Sequence, residues 1–70
     1  MDKKMDILYR KVYEKIINTK DIDRDSLCMA IGMGVTLRAL GYPVSELELP
    51  CLKVGISEED IKCLMQAFQS

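Results

Sequence analysis

Three aspartates at alternating positions, Asp21, Asp23 and Asp25, form the chain's most suggestive set of potential metal ligands. Their spacing resembles the opening of a calcium-binding loop, in which carboxylates at the first, third and fifth positions bind the ion. Such a loop needs glycine at its sixth position and glutamate at its twelfth, where this chain has Ser26 and Gly32. Carboxylates also stabilise the unpaired N–H groups that begin a helix. We therefore interpret these aspartates as helix caps and expect no metal site.

Residues suited to catalysis are scarce. The chain has no histidine, which is the usual acid–base group near neutral pH. Cys28, Cys51 and Cys63 have no C-x-x-C spacing and no imidazole to activate them, so we interpret them as reduced core thiols of a cytoplasmic protein. Gly32-Met33-Gly34 lacks the third glycine and the following lysine of a phosphate-binding loop. The sequence predicts a protein that is not an enzyme and binds no cofactor.

Residues 26–42 offer a possible DNA-binding motif, the helix-turn-helix. That motif has a small residue, a glycine four positions later for the turn, and then a β-branched and a hydroxyl residue. The residues that fit this order are Ala30, Gly34, Val35 and Thr36. In this interpretation the chain bends at Gly34, and Thr36 and Arg38 contact the DNA. Against it, the second helix would offer one basic residue and would reach Gly41 after two turns.

The elements that must position these residues are helices. Apolar residues recur at helical spacing over residues 3–18, and Asn18-Thr19-Lys20 is typical of a helix end. A second helix is predicted over 23–40, and a third over 57–68, with Ser57 as its N-cap and Asp60 completing a capping-box variant. The sequence therefore predicts an all-α protein, with residues 1–70 forming a single small domain of three main helices.

Residues 44–54 are ambiguous. Glu46-Leu47-Glu48-Leu49 alternates as a strand does, but a lone strand has no partner within this chain. Pro43 could instead start a short helical turn that Pro50 would stop. We favour a short helical turn or an irregular segment.

The second helix is apolar on nearly every side between Leu27 and Leu37. A helix of this kind must be covered all round, and a short chain has little material with which to cover it. We expect a homodimer built on residues 27–40, with Gly32 and Gly34 allowing another backbone to approach. The candidate assembly residues are Leu27, Ala30, Ile31, Gly34 and Leu37. The alternative is a monomer in which residues 44–54 fold over the exposed part of this helix.

Charge is unevenly distributed along the chain. Residues 1–20 contain six basic and three acidic residues, whereas residues 21–70 contain four basic and eight acidic residues. A candidate partner-facing basic surface on the first helix consists of Lys4, Arg10, Lys11 and Lys15. The apolar run is too short to cross a bilayer, so no membrane contact is expected. The sequence thus favours a cytoplasmic regulator or adaptor that contacts itself and an unidentified protein. Binding of duplex DNA is the alternative.

Overall fold

The computed structural model describes residues 3–18 and 21–69, and these residues fold into helices without any strand. Helix α1 spans Lys3–Ile16 and helix α2 spans Arg24–Ala39. A 3₁₀ turn at Val44–Leu47 leads directly into helix α3 at Glu48–Lys53, and helix α4 spans Glu58–Gln69. The predicted all-α class is confirmed. Helix α1 ends two residues before the predicted boundary, and Thr19 and Lys20, predicted to end it, lie outside the described residues.

Residues 44–53 are helical, with Leu47 and Cys51 completely buried. The expectation that Pro50 would stop a helical turn is wrong. Pro50 is the third residue of α3, and the first-turn N–H groups of a helix have no intrahelical partner. The missing N–H of proline therefore costs little there, and the helix continues to Lys53.

Helices α2 and α3 end in the same way, at a glycine in the left-handed conformation. Gly41 has φ +82° and Gly55 has φ +87°. After α2, the N–H of Tyr42 donates to the carbonyl of Leu37 at 2.9 Å, and the N–H of Gly41 donates to Arg38 at 3.1 Å. The equivalent pair of bonds follows α3, so both ends are Schellman motifs. Gly41 was predicted as the stop of the second helix.

The predicted caps are confirmed at two helix starts. The Asp23 carboxylate accepts hydrogen bonds from the backbone N–H of Ser26 at 3.2 Å and from its hydroxyl at 3.4 Å. The Ser57 hydroxyl accepts from the backbone N–H of Asp60 at 3.3 Å. Asp23 thus performs the capping role that we inferred for the aspartate run.

Helix α2 runs without a break through Gly34, so the bend required by the helix-turn-helix interpretation is wrong. The buried side of this helix carries Leu27, Ala30 and Ile31 before the glycine, and Gly34 and Val35 after it. These positions are three or four residues apart, which keeps them on one side of a straight helix. Burial of one continuous stripe therefore favours the unbroken conformation.

The predicted assembly residues do not form a surface. Leu27, Ala30 and Ile31 are at most 1% exposed, Gly34 is buried and Leu37 is half-buried. Helix α1 and the 3₁₀ turn pack against this side of α2 within one chain, and the Phe68 ring of α4 lies against Gly34. The prediction underestimated residues 44–54, because their 3₁₀ turn packs against α2 and their helix α3 packs against that turn and α4. The buried core consists of Val12, Ile16, Leu27, Ala30, Ile31, Val35, Leu47, Cys51, Ile56, Ile61, Leu64, Ala67 and Phe68.

Candidate functional site

Beyond Asp25 in its first turn, the side of α2 opposite the core is largely exposed and carries no charge. Met29, Gly32, Thr36 and Leu40 recur at spacings of three and four along it, and we call them the uncharged α2 face. Met29 is 53% exposed and Leu40 is 67% exposed. A surface helix normally presents charged or polar residues to water. This stripe, with Thr36 as its one polar side chain, differs from that rule.

Gly32 lies in the middle of the uncharged α2 face, and no contact with the described part of the chain explains it. A Cβ atom added at Gly32 would have no neighbour within 4 Å. The close approach that we expected at this glycine is therefore absent within the described residues. Glycine inside a helix costs about 1 kcal/mol relative to alanine, so the position weakens α2 without improving its packing.

Sequence reasoning missed the uncharged α2 face because α2 is apolar on both sides. A helical projection places Met29 and Thr36 on the side opposite Leu27 and Gly34, but it does not show which side is covered. Thr36, a candidate DNA contact, lies on the exposed side. Its hydroxyl donates to the Gly32 carbonyl at 2.8 Å, within the same helix.

The predicted basic surface of α1 divides into two parts. Lys4, Lys11 and Lys15 lie seven and four residues apart, which places them along one side of the helix; we call them the lysine stripe. Arg10 is offset from Lys11 by about 100° around the helix axis. It forms an exposed ion pair with Asp6 at 3.7 Å. The structure therefore brings three of the four predicted residues onto one side and separates the fourth.

A cleft of about 420 Å³ opens between α1 and the last turns of α2. We call it the Arg38 cleft; it is lined by Lys4, Met5, Leu8, Val35, Arg38 and Ala39. The floor is apolar, the two charged groups are cations, and no carboxylate lines it. Arg38, the other candidate DNA contact, also reaches α4, where its Nη1 donates to the Phe68 carbonyl oxygen at 3.1 Å. That bond holds the guanidinium beside the cleft.

A second cleft, of about 290 Å³, lies between α1 and the first turns of α2. We call it the tyrosine cleft; it is lined by Tyr9, Arg10, Tyr13, Glu14, Arg24 and Cys28. The rings of Tyr9 and Tyr13 are stacked, with centroids 6.5 Å apart and planes inclined by 11°. A side-chain hydrogen bond with Cys28, helped by burial, raises the pKa of Tyr9 to about 12. The Tyr9 hydroxyl is therefore neutral at physiological pH.

All three cysteines lie in the described part of the chain, and all three are free thiols. Cys51 is completely buried, and desolvation raises the pKa of its thiol. A raised pKa lowers the fraction of reactive thiolate. Cys28 and Cys63 are half-buried.

Residues 3–18 and 21–69 contain no group of three or more cysteine, aspartate or glutamate side chains arranged to hold a metal ion. Within the same residues, none of the helices has both the length and the apolar character needed to span a bilayer.

Comparison with protein-family profiles, with curated protein sequences and with solved structures finds no match to this chain.

Proposed function

We propose that this protein is a small, cytoplasmic, non-enzymatic regulator or adaptor that acts by protein contact and assembles as a homodimer. The observation that supports the dimer best is the uncharged α2 face. From Ser26 to Leu37 the sequence has no charged residue, although one side of this segment is exposed. The proposed dimer still uses α2, but through the side opposite the core.

A second copy is a suitable occupant of this face because a two-fold contact pairs a surface with itself. A charged stripe would repel its own copy, whereas an uncharged stripe does not. Gly32 and Thr36 are small and one turn apart, so two α2 helices could cross closely there. Covering the exposed parts of Met29 and Leu40 would contribute about 1–2 kcal/mol for each side chain. Because association itself costs at least about 4 kcal/mol, we expect a dimer of modest affinity.

The experiment compares two substitutions that each add one negative charge to an exposed helical position. Thr36→Glu places the charge in the uncharged α2 face, and Gln66→Glu places it on α4. We expect the amide NMR signals of Met29, Gly32 and Leu40 to shift with concentration in the wild type and in Gln66→Glu. In Thr36→Glu they should not. Signals independent of concentration in the wild type, or equal behaviour of both variants, would contradict the dimer.

Binding of duplex DNA through residues 26–42 is less well supported. α2 has no turn at Gly34, Thr36 bonds to its own helix, and Arg38 donates to Phe68. Titration with duplex DNA at low salt tests this alternative. Binding that weakens as salt rises and is lost in Arg38→Gln would favour DNA over a protein partner.

A further inference from the structure

The Arg38 cleft combines an apolar floor with two cationic side chains. Met5 and Leu8 come from α1, Val35 and Ala39 come from α2, and Lys4 and Arg38 supply the charge. Its volume of about 420 Å³ lies within the range of ordinary ligand pockets. Such a lining suits an apolar group that carries negative charge beside it.

The lysine stripe extends this charge beyond the cleft. Lys11 lies about 10 Å and Lys15 about 16 Å from Lys4 along the axis of α1, at a rise of 1.5 Å per residue. A ligand that contacts both the cleft and Lys15 must therefore be at least about 16 Å long. A short carboxylic acid does not reach that far, whereas about eleven residues of helix do.

We propose that the Arg38 cleft and the lysine stripe together form the docking site for an acidic amphipathic helix of a partner protein. An aliphatic side chain of the partner enters the cleft, and its carboxylates lie along Lys4, Lys11 and Lys15. This inference rests on the proposed role of the protein as a contact adaptor. It uses the edge of α2 that faces α1, so it does not depend on the dimer.

A nucleic acid fits this site less well, although it is also a long anion. Nucleic acids have no aliphatic side chain to fill a cleft floored by Met5, Leu8 and Val35. Residues 21–70 also contain eight acidic residues against four basic ones, and their charge would repel phosphates. The carboxylates of an acidic protein helix are attracted to the lysines of α1, and its aliphatic side chains can pack against the apolar floor.

The tyrosine cleft suits this partner less well. Two arginines, Arg10 and Arg24, line it, but Glu14 lies in the same lining. The carboxylate of Glu14 therefore offsets part of the positive charge of this cleft. The Arg38 cleft contains no such acid in its lining.

The test uses the full chain, labelled for NMR, and a synthetic acidic helix of about 15 residues as the probe. The probe has leucines spaced by three and four residues, with glutamates at the other positions. A second peptide has lysine in place of each glutamate. We expect the acidic peptide to shift the amide signals of Met5, Leu8, Val35 and Ala39, and we expect the lysine peptide to leave them unchanged.

Matched variants separate the two parts of the site. Ala39→Phe fills the cleft and should weaken binding at least about tenfold, whereas Gln66→Phe adds the same ring to α4 and should not. Lys4→Gln should weaken binding about two- to fivefold, whereas Lys62→Gln, which removes the same charge from α4, should not. Both control positions are exposed.

Three results would overturn the proposal. The first is that the acidic peptide leaves the cleft signals unchanged. The second is that Lys4→Gln and Lys62→Gln weaken peptide binding equally. The third is that duplex DNA shifts the same amide signals and binds more tightly than the acidic peptide. Thr36→Glu, designed to be monomeric, should bind the acidic peptide as the wild type does. Failure of the dimer and failure of the docking site can therefore be distinguished.

Discussion

Gly34 on α2 faces the aromatic ring of Phe68 on α4 so closely that no side chain fits between them. A Cβ atom at position 34 would lie 2.5 Å from Cε2 of Phe68 and closer still to Cζ. The close neighbour that we expected at this glycine is therefore a ring rather than another backbone. Gly34 is buried, and Phe68 is 3% exposed, so the ring has little room to move.

Gly34→Ala should therefore destabilise the protein by about 1–3 kcal/mol, the usual cost of adding a methyl group to a filled core. The matched control is Gly32→Ala, two residues earlier, where a Cβ atom meets nothing within 4 Å. That substitution should stabilise the protein by up to about 1 kcal/mol, because alanine favours the helix. Urea unfolding measures both changes. Equal effects of the two substitutions would show that Phe68 does not restrict position 34.

Removing the Asp23 carboxylate should weaken the start of α2. Asp23→Ala leaves the N–H of Ser26 without its cap and should cost about 1 kcal/mol in the free energy of unfolding. Asp21→Ala removes a neighbouring exposed carboxylate that does not cap the helix and should change stability by less than about 0.5 kcal/mol. Thermal unfolding with and without calcium chloride completes the test. If calcium stabilised the wild type but not Asp23→Ala, the aspartates would be ligands of a calcium-binding loop and not only helix caps.

Tyr9 should titrate later than an ordinary tyrosine. Its pKa is raised from 10.0 to about 12, first by the hydrogen bond with Cys28 and then by burial. Because the folded protein favours the neutral phenol, Tyr9 contributes to the free energy of unfolding. This contribution is fully present below pH 10 and is lost as the pH rises towards 12. Ultraviolet titration of tyrosinate should show one late group that disappears in Tyr9→Phe and moves towards 10 in Cys28→Ala. An unchanged late group in Tyr9→Phe would exclude this assignment.

Cys51 should be protected from thiol reagents until the protein unfolds. Its side chain is completely buried, and burial raises its pKa, so both access and thiolate fraction are low. A Cys28→Ser/Cys63→Ser variant retains Cys51 alone and should react at least about 100-fold slower in buffer than in denaturant. Rapid reaction of this variant under native conditions would mean that α3 does not pack stably against the 3₁₀ turn and α4.

Local signals in the sequence predicted the helices well. Asp23, Ser57 and Gly41 each act through backbone atoms a few residues away, so their roles could be read from neighbouring positions. Pro50 was misread because its effect depends on its exact position within a helix. A proline that stops a helix from its interior is tolerated in the first turn.

The exposed surfaces could not be predicted in the same way. Gly32 and Gly34 are the same residue two positions apart, yet one is open to solvent and the other lies against Phe68. Nothing local distinguishes them, because the difference depends on where α4 packs. The Arg38 cleft likewise joins Lys4 and Leu8 to Arg38, residues that are about thirty positions apart and meet only in the folded chain.

The most direct test of dimer formation is sedimentation equilibrium of the wild-type chain at concentrations up to about 1 mM. This range is needed because a net free energy of association of only about 4 kcal/mol corresponds to a Kd of about 1 mM. We predict an apparent mass that rises from 8.0 kDa towards twice that value, while Thr36→Glu stays at 8.0 kDa. A wild-type mass of 8.0 kDa at every concentration would contradict assembly through the uncharged α2 face.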